Sequence, residues 1–135
     1  MTNPKLALDY IQRAGKRLKA VELLLAEEAY ADVVRESQEV VELALKAVLR
    51  SFGLAVPFTH DVSEALETNA ARIPQDAASF VPRWCEVSKR LRRDRELSFY
   101  GSEDVTPSSF YGRADAEEAL AMAREVVASV TPWIR

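Results

Sequence analysis

Apolar residues recur at intervals of three and four along four long stretches of this chain, and no stretch reads as a strand. That spacing follows the α-helical turn of about 3.6 residues, so each stretch becomes a helix that must bury one stripe. The first stretch runs over 4–28, with Ala7, Tyr10, Ile11, Ala14, Leu18, Val21 and Leu25 on one face. Pro4 suits its first turn, Asn3 is placed to cap it, and Gly15 either weakens it or admits a close neighbour. The second runs over 30–52, with Val33, Val34, Ser37, Val40, Val41, Ala44, Leu45, Val48 and Phe52 in the stripe. Ser37 and Ala44 are small enough for another helix to approach. Arg35, Glu39, Glu42, Lys46 and Arg50 fall on the opposite face, with Glu42 and Lys46 an i,i+4 pair. Gly53 supplies the left-handed residue that ends this helix.

A loop follows, and Asp61 with Glu64 forms a capping-box pattern for a short helix over 62–71, which Pro74 stops. His60 reads as a structural partner of that cap. Asp76 caps the next helix, over 77–100, although Pro82 allows a start nearer Phe80. Its stripe is Ala77, Phe80, Val81, Trp84, Val87, Ser88, Leu91, Arg95, Ser98 and Phe99, and Cys85 at its edge reads as a small buried hydrophobe. After Gly101 comes a loop of unusual length for a compact bundle. Asp115 and Glu118 then form a second capping box, opening a last helix that Pro132 ends. Trp133 and Ile134 pack either on the core or on a partner. The expectation is an all-α protein, an up-and-down four-helix bundle with one additional short helix, in a single domain over 1–135. Leu23 and Leu24 exceed what such a bundle needs and point to a dimer.

Composition excludes several functions. One cysteine and one histidine among 135 residues leave no zinc constellation, no internal disulfide and no Ser-His-Asp choice, so no cofactor or metal is expected. No apolar run reaches the length of a membrane span and the first ten residues carry no export pattern, which points to the cytoplasm. The net charge is −3, too acidic overall for binding nucleic acid by bulk charge. The distribution is uneven: Arg83, Lys89, Arg90, Arg92, Arg93 and Arg95 stand against Glu86, Asp94 and Glu96. This patch is either a phosphate-binding surface or a solvated helix face.

Three segments carry a resemblance. They are ESQEVVELALKAVLRSFGL (36–54), THDVSEALE (59–67), and RELSFYG (95–101) with SSFYGRADAEEALAMAREVV (108–127). Together, and in that order, they resemble the second helix, the H-D/N-L-x-x-L turn, and the arginine-to-tyrosine junction with its capped final helix of the HEPN family. The resemblance implies a four- or five-helix bundle that pairs as a homodimer. It implies one of two activities. Many members are metal-independent RNases whose motif is an arginine, four to six residues and a histidine at the end of a long helix. Others are inactive or partner a minimal nucleotidyltransferase, often as a toxin–antitoxin pair.

Arg95 matches the motif arginine, and helical counting independently turns it within about 20° of the buried stripe. There it would orient a phosphate bidentately, with Arg92 beside it and Ser37 and Gln38 facing it. Alternatively, Arg95 pairs with Glu39 or Glu42, and Ser37 and Gln38 are spacers at a helix crossing. The motif histidine is absent, and Tyr100 stands in its place. Phenols ionise near pH 10 and make poor general bases at neutrality, but Tyr100 can donate a hydrogen bond or stack on a base. By the resemblance, Tyr100, or less readily Tyr111, would accept a nucleotidyl group; a packed ring with a wet hydroxyl is the plainer alternative. The leading expectation is a dimer that binds nucleotide or RNA phosphate and partners a nucleotidyltransferase. The alternatives are an RNase toxin with a degenerate motif and a non-catalytic interaction module.

Overall fold

The computed structural model describes residues 4–58 and 62–134, and every element in them is helical. The elements are α1 (Pro4–Ala26), α2 (Tyr30–Ser51), α3 (Val62–Thr68), α4 (Gln75–Ala78), α5 (Val81–Tyr100), α6 (Pro107–Phe110) and α7 (Arg113–Val130), with 3₁₀ turns at Ala70–Arg72 and Thr131–Trp133. The four long helices α1, α2, α5 and α7 form the bundle, as the periodicity requires. Asn3, His60 and Asp61, two of them expected caps, lie outside the described residues.

α2 is the central helix, packed against α1, α5 and α7. Its expected stripe is buried from Val33 to Val48, with Phe52 partly buried beyond the helix end, and Ala31, Gln38, Glu42, Ala47 and Leu49 join it. A helix with neighbours on three sides buries more than one face. Ser37 and Ala44, the small residues mid-stripe, are both wholly buried. At the end of the bundle the indole of Trp84 donates to Ser129 Oγ at 2.8 Å and stacks on Phe80 at 5.8 Å. The C-terminal turn folds back onto this end. Trp133 meets Phe52 and Phe80 edge-on, and its carbonyl accepts from Ser51 Oγ at 2.6 Å.

Several boundaries move for local reasons. α5 starts at Val81 rather than Ala77, with Pro82 in the first turn, where its missing amide costs nothing. Residues 75–78 form a separate turn, capped at Pro74 rather than Asp76. α3 ends at Thr68 and tightens into the 3₁₀ turn. α7 begins at Arg113, so Asp115 is not its cap but the return half of the box, accepting from the Gly112 amide at 2.9 Å. Glu118 pairs instead with Arg90 at 2.6 Å. The long loop contains α6, whose cap Thr106 accepts from the Ser109 amide at 3.2 Å.

Gly53 ends α2 at φ 73°, as its position predicts, with the Leu54 amide reaching back to the Leu49 carbonyl at 2.9 Å. Gly101 ends α5 at φ 75°, and a β-carbon there would stand 2.5 Å from the Val105 carbonyl oxygen. Gly15 has no such reason: nothing lies within 4 Å of where its β-carbon would be.

Candidate anion site on helices α2 and α5

The basic stretch of α5 is largely matched by carboxylates from other helices. Arg83 forks onto Glu125 at 2.7 and 3.0 Å and also meets Glu86; Lys89 reaches Glu67 at 2.6 Å, and Arg90 reaches Glu118. These pairs are exposed and contribute little stability individually, but they account for the charge run as the seam between α5 and its neighbours α3 and α7. Arg92 and Arg93 lie on the outer side of the helix, both exposed.

Arg95 differs. It is half-buried against α2, where Nη1 donates to Gln38 Oε1 at 2.8 Å and to Glu39 Oε1. Glu39 Oε1 also receives Arg35 Nη1 at 2.5 Å. Two guanidiniums thus share one carboxylate oxygen, and the trio carries a net single positive charge at neutral pH. Burial alone would push the Glu39 carboxyl up, but the hydrogen bonds and charges of Arg95 and Arg35 outweigh it and hold the group below the ordinary carboxylate value of 4.5. Glu39 therefore stays ionised through the neutral range.

The network continues along α2. Gln38 Nε2 stands 3.4 Å from Glu42 Oε2, and Lys46 Nζ donates to Glu42 Oε1 at 2.9 Å, the expected i,i+4 pair. Glu39, Glu42, Leu43 and Lys46 form one wall of a groove of about 210 Å³, and Tyr10, Arg13 and Arg17 of α1 form the other. At the other end, the Arg35 guanidinium lies 5.0 Å above the Phe99 ring, whose centroid is 4.7 Å from that of Tyr100.

Of the residues expected here, Arg95 and Gln38 are in direct contact. Ser37 is fully enclosed, its Oγ without a hydrogen-bond partner among the described residues, which is the position of a spacer at a helix crossing. Tyr100 is 75% exposed at the last turn of α5. Tyr111 is buried, its hydroxyl 3.4 Å from the Asp94 carbonyl. Burial and then Asp94 push its phenol up to about 12. Arg35 and Phe99 escaped the sequence reading as site residues. The signal available is the i,i+4 spacing of Arg35 and Glu39, which a helix with a single buried side would place on its outer face. Among the described residues, no cluster of three metal-ligating side chains is present and no helix is long and apolar enough to cross a membrane.

The model of the HEPN domain matches residues 7–133. Among solved structures, TT1696 from Thermus thermophilus is 25% identical, with a TM-score of 0.74 over 94% of this chain and 97% of that one. ST0689, an archaeal HEPN homologue, is 21% identical, with a TM-score of 0.73 over 96% of this chain and 98% of that one. No curated protein matches.

Proposed function

Because the chain belongs to the HEPN domain family, we propose that it acts as a single domain over 1–135 and binds the phosphate of a nucleotide or RNA through Arg95. On this reading it forms a homodimer in the cytoplasm, with the cleft between copies holding the ligand, and partners a minimal nucleotidyltransferase in a toxin–antitoxin-like pair. The observation that carries the reading is the sharing of Glu39 by Arg35 and Arg95. Glu39 leaves that pair with one uncompensated positive charge, which the single negative charge of a phosphodiester would neutralise; a phosphate dianion would neutralise the pair in place of Glu39. Gln38 adds a neutral amide that can turn its N–H₂ toward an anion. Arg92, one turn before Arg95 on α5, would extend the contact along a phosphodiester.

The second reading is a metal-independent RNase with Tyr100 in the histidine's place. What favours it is position: Tyr100 ends α5, exposed against the Phe99 ring on which the Arg35 guanidinium rests. Against it stands the chemistry, since a phenol does not shuttle protons readily at neutral pH.

The test is Arg95→Ala, with phosphate-ligand binding followed by calorimetry and the fold by circular dichroism. Loss of binding with an unchanged melting curve is expected. Unfolding would assign Arg95 to the fold alone, in which case Arg95→Lys, which keeps the charge but loses the fork, would bind as wild type does. Incubation of the purified protein with RNA in chelator decides the second reading, since it requires cleavage. A nucleotidyltransferase reading frame next to this one supports the partner assignment, and its absence removes it.

A further inference from the structure

Phe99 and Tyr100 leave the last turn of α5 with 51% and 75% of their surface exposed, their rings inclined at 48°. Being adjacent, the two rings form a small continuous aromatic patch rather than scattered exposed side chains. Phe99 is not bare, however, because the Arg35 guanidinium rests over it. That guanidinium is also one of the two that hold Glu39. The ring, the gatekeeping cation and the anion-binding pair are therefore joined by consecutive contacts. A planar guanidinium on an aromatic face occupies the seat a nucleobase would take, the guanidinium held by cation–π attraction and a base by stacking of its own π-face.

We infer that Phe99 is the base-stacking residue of this site and Arg35 its gate. A nucleobase displaces Arg35 from the ring, and Arg35 turns onto the phosphate beside Arg95. Tyr100, tilted alongside, widens the platform. This rests on the phosphate reading above and narrows it: the ligand carries an unpaired base and a phosphate on the same or the adjacent nucleotide. A duplex is excluded, since its bases stack on one another. The two rings alone fall far short of the ~800 Å² per partner of a stable interface, so a contact between copies does not by itself account for them.

Calorimetric titration with the four nucleoside 5′-monophosphates and with ribose 5-phosphate tests it. Wild type is expected to bind the nucleotides at least about fivefold more tightly than the bare sugar phosphate. Phe99→Leu should erase that difference, and Arg35→Gln should weaken both. Equal affinity of wild type for nucleotide and sugar phosphate overturns the inference while leaving the phosphate reading standing, and this comparison needs no variant to fold. Failure of every phosphate compound to bind overturns the phosphate reading itself. If Phe99→Leu instead lowers the mass measured by light scattering and keeps the ligand preference, the rings belong to a contact between copies and the inference falls.

Discussion

Glu39 sets the chemistry of this site at the scale of a single residue. It is an internal anion held by Arg35 and Arg95, and on the proposed reading a phosphate would compete with it for both. Glu39→Gln should therefore raise the affinity for a phosphate ligand roughly tenfold, the value of a charge-assisted hydrogen bond released to the ligand. The same substitution should change the acid limb of stability. The Glu39 carboxyl titrates lower in the folded chain than its ordinary value of 4.5, so its contribution is complete above that pH and is lost as pH falls through the lower folded value. Urea titrations from pH 6 downward should show a shallower acid loss in Glu39→Gln than in wild type, and parallel curves would refute the assignment. Much of this was readable beforehand. Of Glu39 and Glu42, the two carboxylates offered as partners of Arg95 in the alternative to a phosphate site, it is Glu39 that Arg95 meets. Helical counting turns Arg95 inward, because angular position needs only the period. It could not find Arg35, because which outer residues of α2 are covered depends on where α5 and α1 lie.

Elements were legible where a stripe was long and uninterrupted, and blurred where capping decided the matter. The four long helices follow the apolar period directly. Their ends depend on single hydrogen bonds: the Gly112 amide to Asp115 fixes the start of α7, and that glycine carries none of the side-chain oxygens by which a cap is recognised. α6 is one turn held by Thr106, too short to have a period at all. The ends also differ in how well the residue suits the backbone. α1 closes with Glu28 at φ 61°, where a β-carbon is strained, whereas α2 and α5 close with glycine. Inside α1 the mismatch is reversed, with Gly15 in a helix interior and open space around it. Gly15→Ala should therefore stabilise the protein by about 0.5–1 kcal/mol, read as a higher urea midpoint at unchanged slope. A loss of stability would mean that a neighbour approaches there, as a second copy would.

The architecture at the scale of the whole molecule places α2 in contact with α1, α5 and α7, while those three depend on it more than on one another. Fold class was evident from the period and from the lack of strand-like alternation. Which helix stands at the centre was not, because α2 carries Arg35, Glu39, Glu42, Lys46 and Arg50 on one side and looks no less amphipathic than its neighbours. Tertiary contact buries part of that side only by matching its charges with Arg95 and with each other. The consequence appears in time rather than in space. A helix roofed on three sides cannot fray locally, so its amide protons meet solvent only when the entire chain opens. Deuterium uptake should be slowest over 40–49, at a free energy equal to global unfolding, and much faster over 101–112, where only short turns and caps hold the backbone. Uptake over 40–49 as fast as in that loop would mean that the middle of the protein breathes independently of its walls.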